Sequence, residues 1–231
     1  MIGLIIAAGK QKRFNSNIPK ALVEYEGEIL VNRNINILNN YCDKTYVVVS
    51  NNNYSLFKEY IDEDNLLNIG ESGKGSGDAI YEALKQLKLI DEDILICWGD
   101  TILNSELFKN IPENRDKYKV YIPATIEDSP YVQLKDNKVL FKKYNDNITR
   151  GYHDSSIFIG NASIIYIYCI IFRVKYLNSN LEYNHKHGNE FEFLDIFNDT
   201  TLDYQVVEIE KEDDNLSFNT LEELENIKER G

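Results

Sequence analysis

Leu4-Ile5-Ile6-Ala7-Ala8-Gly9-Lys10-Gln11-Lys12-Arg13-Phe14, followed by Ile18-Pro19-Lys20-Ala21-Leu22, is the stretch whose reading decides the fold. An apolar run that ends in small residues and a glycine turn reads as a strand buried on both faces, the first strand of an α/β sheet. Small residues at such a strand end let backbone amides approach an anionic group closely. Arg13 and Lys20 add cations that neutralise one. The pattern is that of a phosphate-binding loop without Walker spacing, with Ala7, Ala8, Gly9 and Lys10 as its first binding residues.

Working outward, apolar runs at 2–7, 45–50, 93–98 and 120–124 read as buried strands, and residues 28–39, 53–61 and 76–87 carry helical spacing. This alternation predicts a doubly wound, mostly parallel α/β sheet. Residues 131–144 break the rhythm with two short apolar runs around a polar turn, a small antiparallel insertion. A strand at 155–159, a helix capped by Asn161 or Ser163, a short helix at 190–197 and a strand at 204–209 follow. A last helix is capped by Asn219 or Thr220, with Glu223 placed as in a capping box. No linker or shift in composition divides the chain, so residues 1–231 are expected to form a single domain.

Composition narrows the partners. The net charge of −13 repels a phosphate backbone, which argues against nucleic acid. The three cysteines, Cys42, Cys97 and Cys169, stand singly, with neither a disulfide framework nor a zinc cluster, as expected of a reducing cytoplasm. The first residues lack the positive segment of a signal peptide. The longest apolar stretch, 162–172, reaches about half of the roughly 20 residues that cross a bilayer and reads as a buried helix, so no membrane role is expected.

Three further segments point to chemistry. Gly75-Ser76-Gly77-Asp78-Ala79 is a glycine-dense opening of a helix, where the backbone can lie flat against a planar ligand. Asp100 ends the apolar strand 93–98 at the carboxyl edge, where open α/β sheets bind ligands, and Mg²⁺ is held by one or two carboxylates together with substrate phosphates. His153, Asp154 and Ser155 precede a strand expected to border an acceptor pocket. His185 and His187 lie in a polar loop and read as solvated surface.

In this order the segments resemble the MobA-like and sugar-nucleotide pyrophosphorylase group of nucleotidyltransferases, whose signature runs A-A-G-x-G-x-R and then P-K. Ala7, Ala8, Gly9, Arg13, Pro19 and Lys20 match it, and Gln11 stands where the group has a second glycine. Gly75, Ser76 and Gly77 resemble the G-T-G element that contacts a nucleobase, and Asp100 resembles the metal aspartate of a G-D pair. Asn219, in Asn219-Thr220-Leu221-Glu222-Glu223-Leu224, resembles the residue that completes the metal site, with a helix cap as its rival role. Glu190 and Asp195 align with the G-E-Y-Y-x-T-D-I stretch. Lys142 or Lys143 stands near an acceptor-side E-K pair, with Phe141 in place of its glutamate.

The resemblance implies a Rossmann-like, GT-A-like fold and a Mg²⁺ (or Mn²⁺) enzyme with Arg13, Lys20 and Asp100 as its catalytic residues. An acceptor phosphate attacks the α-phosphorus of a nucleoside triphosphate and pyrophosphate leaves, with no covalent enzyme intermediate. An ionised phosphate needs no general base. No G-T-R-x-x-P pattern of hexose-1-phosphate enzymes is present. That turns the expectation towards small cytidylyltransferases, which use CTP to activate phosphorylated non-sugar molecules, of a phosphocholine or phosphoglutamine type, for capsule or surface polymers. A sugar-1-phosphate nucleotidyltransferase and a molybdenum-cofactor guanylyltransferase are the alternatives. A nucleotide binder without turnover fits Gln11 but leaves Lys20 and Asp100 without a purpose.

Overall fold

The computed structural model describes every residue outside 10–13, 15–17, 72–74, 89–90, 136–137, 142–146, 179–189 and 230–231, and the side chains of those residues except 135 and 138. The first apolar run forms β1 (Ile2–Ile6). In chain order follow β2 (Glu24–Tyr25), β3 (Glu28–Ile29), α1 (Leu30–Leu38), β4 (Lys44–Val49), α2 (Asn51–Phe57), β5 (Leu66–Asn68) and α3 (Ser76–Leu87). Next come β6 (Asp93–Trp98), β7 (Thr101–Ile102), β8 (Lys119–Asp128), β9 (Val132–Lys135), β10 (Lys138–Phe141), β11 (Arg150–Asp154) and β12 (Ile157–Asn161). The chain continues with α4 (Ala162–Leu177), a 3-10 helix over Phe193–Asn198, β13 (Asp203–Glu208), β14 (Leu216–Ser217) and α5 (Leu221–Lys228).

β1 pairs in parallel with β4 on one side and β6 on the other, Leu4 lying opposite Tyr46 and Ile96. β5 extends the sheet beyond β4. The chain therefore moves outward from β1 to β4 and β5, then returns through α3 to β6 on the opposite flank. Strand order reverses at β1, so the crevice beyond the carboxyl ends of β1 and β6 is a topological switch point. Side chains alternate between two covered faces. Leu4, Ile94 and Ile96 pack on α3 and α4 through Ile80, Leu84, Ile165 and Phe172, whereas Ile5, Leu95 and Cys97 face Val31, Leu38 and Phe57. Burial on both faces is why these strands read as unbroken apolar runs.

Beyond β6 the sheet, ten-stranded among the described residues, becomes mixed. β12 runs antiparallel to β6 and to β8, while β13 pairs in parallel with β8. The parallel partner of 120–124 is thus β13, and β12, shifted two residues from the expected 155–159, is wedged antiparallel between β6 and β8. An apolar run buried on both faces looks the same in either direction. The hairpin of β9 and β10 forms as expected, with Val139 opposite Leu134, and β11 joins it to β8. The antiparallel part is therefore larger than a hairpin. Because β12 runs against its neighbours, its start lies at the same edge as the ends of β1, β4, β6 and β13.

Local chemistry explains the boundaries. Of the two candidate caps of α4, Asn161 is the one used, its side-chain oxygen accepting from the N–H of Ser163 at 3.0 Å and Ile164 at 3.4 Å. Thr220 caps α5, accepting from the Glu223 N–H at 3.2 Å. Glu223 in turn accepts from the N–H of Asn219, so its carboxylate reaches one residue beyond a standard capping box. The three cysteines are buried and unpaired, and burial pushes the Cys42 thiol up to about 11. Among the described residues no helix is long and apolar enough to cross a membrane.

Two tight places decide how the edge is built. Gly75 has φ +104°, and a Cβ there would lie 2.1 Å from the backbone oxygen of Phe191. At the other place, β11 bends into β12 through Ser156, at φ 63°, and Asp154 accepts from the Ser156 N–H at 3.0 Å. Burial raises the Asp154 carboxyl, the neighbouring Asp214 adding to the effect while His153 and the Ser156 amide oppose it.

Gly75→Ala is expected to lose about 3 kcal/mol through left-handed strain and displacement of Phe191, as read from urea denaturation. Asp154 has the opposite sign of a salt-bridged carboxylate. Its charged form is disfavoured in the fold, so it subtracts stability as pH rises from the ordinary value of 3.8 through the raised one. Asp154→Asn, which keeps the oxygen that Ser156 needs, should be more stable than the parent at neutral pH. The gap should shrink as pH falls towards the ordinary carboxyl value, as urea midpoints across that range will report.

Candidate functional site

At the switch point the strand ends are drawn together by small residues. The Gly99 N–H donates to the Ile6 carbonyl at 2.9 Å and the Ala7 N–H to the Val48 carbonyl at 2.8 Å, carrying the ladders past the ends of the strands. A Cβ on Gly99 would sit 3.0 Å from that of Ala7 and 3.1 Å from the Ile6 oxygen. Ala7 and Ala8 are buried, whereas Gly9 is exposed and faces open space. Lys10, Gln11 and Arg13, the rest of the expected phosphate loop, lie outside the described residues, as does Lys142.

Three segments far apart in sequence meet at Lys20. Its ammonium donates to the Asp100 carboxylate at 2.8 Å and to the backbone carbonyl of Phe218 at 3.0 Å. The lysine side chain is 8% exposed and that of Asp100 33%, so the pair is reached from the aspartate side. A short ladder supplies the geometry: β14 pairs antiparallel with β7, Ser217 opposite Thr101. Continuing that register brings Phe218 opposite Asp100, with Asn219 one residue further. Phe14 packs on Phe218 with ring centroids 5.8 Å apart, in a cluster with Tyr25, Leu30, Ile102 and Leu224. That cluster ties the first loop to the last helix.

Asn219 was expected to cap a helix, to hold a metal, or both. Thr220 takes the cap, and the Asn219 side chain makes no hydrogen bond to any described residue, which leaves its amide oxygen for another partner. Asp100 and Asn219 are hard oxygen donors of the kind Mg²⁺ prefers. No three His, Cys, Asp or Glu side chains gather into a metal cage among the described residues, so a cation here would need further oxygens from a ligand.

One positioning residue escaped the sequence reading. Asn34 of α1 is fully buried. Its amide donates to the Thr101 carbonyl at 2.7 Å, and its oxygen accepts from the Leu103 N–H at 3.3 Å, clamping the strand that follows Asp100. The signal was an asparagine on the inward face of α1, in line with Leu30, Val31 and Leu38.

Gly75, Ser76 and Gly77 have a protein partner. The Gly77 N–H donates to the Phe191 carbonyl at 2.9 Å, and a Cβ on Gly77 would meet the Phe191 ring at 2.6 Å. Ser76 donates to Glu192 and accepts from the Phe193 N–H, both at 2.9 Å. The flat glycine backbone thus receives the 191–193 segment. Asp195 accepts from the Glu192 N–H at 3.2 Å and, with Glu192, caps the following 3-10 helix. Arg173 of α4 pairs with Asp78 at 2.7 Å. Glu190 lies near Tyr176, whose phenol is raised by burial and then by the charges of Asp78 and Glu190.

On the β12 side, His153 lies 3.2 Å from Glu127. The Ser155 carbonyl accepts from Asn215 at 2.8 Å, and Asn215 also receives the Asn104 N–H at 2.7 Å. Thr125 donates to Asp214 at 3.0 Å. Buried hydroxyls of Ser50, Thr101 and Ser155 have no hydrogen-bond partner among the described residues. They stand just after β4, just after Asp100 and just before β12, all at the edge where β1 and β6 end. Buried polar groups are ordinarily paired, so these three hydroxyls are exceptions to the rule at this edge.

Comparison with known proteins agrees with this architecture. The description "MobA-like NTP transferase domain" matches residues 3–189. The bifunctional protein GlmU of Buchnera aphidicola subsp. Schizaphis graminum is 35% identical over 98 residues, 42% of this chain and 21% of the relative. The 2-C-methyl-D-erythritol 4-phosphate cytidylyltransferase of Thermotoga neapolitana is 31% identical over 91 residues, 38% of this chain and 41% of the relative. The alignments thus span a fifth to two fifths of the length of these curated relatives. Among solved structures, the inositol-1-phosphate CTP transferase from T. maritima superposes with a TM-score of 0.66 at 15% identity, covering 99% of this chain and 93% of that one. A nucleoside-diphosphate-sugar pyrophosphorylase from Vibrio cholerae RC9 gives 0.68 at 15% identity, covering 99% and 100%. With most of its length matched, the chain belongs to the MobA-like NTP transferase domain family, a family of nucleotidyltransferases.

Proposed function

We propose that the protein transfers a nucleotidyl group, cytidylyl from CTP, to a phosphorylated small molecule and releases pyrophosphate, in the cytoplasm and as a single unit over residues 1–231. The observation that carries this reading is the position of Lys20. Its ammonium lies at the switch point, 2.8 Å from Asp100 and 3.0 Å from the carbonyl that precedes Asn219. Backbone groups of Ala7, Ala8 and Gly9 approach the triphosphate, while Lys20, Lys10 and Arg13 offset its charge as the α-phosphorus is attacked. Asp100 and Asn219 would hold Mg²⁺, which would supply charge neutralisation and orientation of the phosphates.

Ser155, His153 and Asp154, with Lys142 and Glu190, border the acceptor. Gly75, Ser76 and Gly77 act on the base through their backbone, on the side not taken by Phe191. The charge of −13 disfavours a nucleic-acid partner. The cytidylyltransferase relative favours CTP, and the proposal includes a product used in capsule or other surface polymers. A second reading is transfer to a sugar 1-phosphate, with which the fold shared with a nucleoside-diphosphate-sugar pyrophosphorylase is compatible.

Melting curves with CTP, UTP, GTP, ATP and dTTP, with and without Mg²⁺, test the first step. A ligand at about 100 times its dissociation constant adds roughly 2.7 kcal/mol. We expect a Mg²⁺-dependent shift with CTP. Pyrophosphate release should then follow with phosphocholine-type or phosphoglutamine-type acceptors rather than with sugar 1-phosphates. Lys20→Ala should lower kcat about a hundredfold while weakening triphosphate binding less. No shift with any triphosphate would sink the reading.

A further inference from the structure

Lys20, which in the proposed function offsets triphosphate charge, and Asp100, which would anchor the metal, are bonded to each other. Resting on the function proposed above, we infer that Lys20 is the resident cation of the metal site, so that a divalent ion is admitted only together with a triphosphate. The ammonium sits 2.8 Å from the Asp100 carboxylate and 3.0 Å from the Phe218 carbonyl, one residue before Asn219. It thus lies between the two segments that supply the ligands.

A metal approaching Asp100 alone meets a carboxylate whose negative charge is already matched. It must also displace a buried ammonium from its bonds to the Asp100 carboxylate and the Phe218 carbonyl. A triphosphate changes that balance, because its oxygens give the ammonium stronger acceptors and draw it away from Asp100. The carboxylate and the neighbouring Asn219 amide then become free for the cation that arrives with the phosphates. Lys20 therefore serves two partners in turn, and metal and nucleotide binding reinforce each other. No bond is made or broken in the exchange beyond hydrogen bonds and ion pairs. The geometry also guards an edge of a strongly acidic chain against idle occupation by divalent ions.

Mn²⁺ titrations of the nucleotide-free protein, read by water-proton relaxation enhancement, test this directly and without turnover. The parent should bind Mn²⁺ weakly at this site. Lys20→Met should bind it at least tenfold more tightly, and adding Asp100→Asn to that variant should abolish the gain. Lys20→Gln removes the charge but keeps a donor for Phe218. It is expected to show the same tightening and decides the matter if Lys20→Met melts at the assay temperature. Binding by both lysine variants no tighter than the parent's would overturn the inference.

The same titration with CTP present separates the two claims. If Asp100→Asn weakens Mn²⁺ binding with CTP but removal of Lys20 does nothing without it, the exchange is wrong and the metal site stands. If Asp100→Asn has no effect even with CTP, the metal assignment fails and the exchange fails with it.

Discussion

Parallel hydrogen bonding on both sides of β1 is the constraint from which the rest follows. With β4 on one side and β6 on the other, the strand cannot shift without breaking two ladders. Both ladders are prolonged past the strand ends, by Ala7 towards Val48 and by Gly99 towards Ile6. That extra pairing favours glycine at 99 beside alanine at 7, because a Cβ on residue 99 would lie 3.0 Å from that of Ala7. Such packing leaves Gly9 and Asp100 as the first residues free to turn outward. The reversal of strand order then puts the crevice there and nowhere else along the parallel half of the sheet.

The opposite rim is assembled by contacts with little secondary structure behind them. The pairing of β7 with β14 involves two residues on each strand, yet it brings the C-terminal segment against Asp100. Asn34 steadies the same strand from behind, and the Phe14–Phe218 cluster closes it from the side. Trp98, immediately before Gly99, packs on Phe158 at 5.5 Å and Phe193 at 6.1 Å. Aromatic pairs of this kind add about 0.5–1.5 kcal/mol each beyond the area they bury. The end of β6 is thus fixed from both faces.

Sequence alone revealed the elements whose physics is local. β6 and α3 fall where apolar runs and helical spacing put them, and the segments of Ala7, Lys20, Asp100 and Asn219 were all visible as motifs. It did not reveal the sense of β12, because burial on both faces erases the alternation that would distinguish an edge from a centre. β11, Arg-Gly-Tyr-His-Asp, has no apolar run, and β5 is three residues long, so neither announces itself. The glycines at 75 and 77 suggested a backbone lying flat against a planar ligand, and the structure lays the chain's own Phe191 against them. Lys10, Arg13 and Lys142 fall outside the described residues. For these the motif remains the whole of the argument.

The bond between Lys20 and Phe218 joins residues 198 positions apart, whereas β1, β4 and β6 are neighbours within the first half of the chain. Closing so long a loop carries an entropic cost that only a largely assembled domain can offset. During synthesis the parallel core can therefore form while the far side of the crevice is still missing. The edge where β1 and β6 end is completed by residues near Phe218, which emerge well after β1, β4 and β6, so the parallel core precedes the closing of that edge.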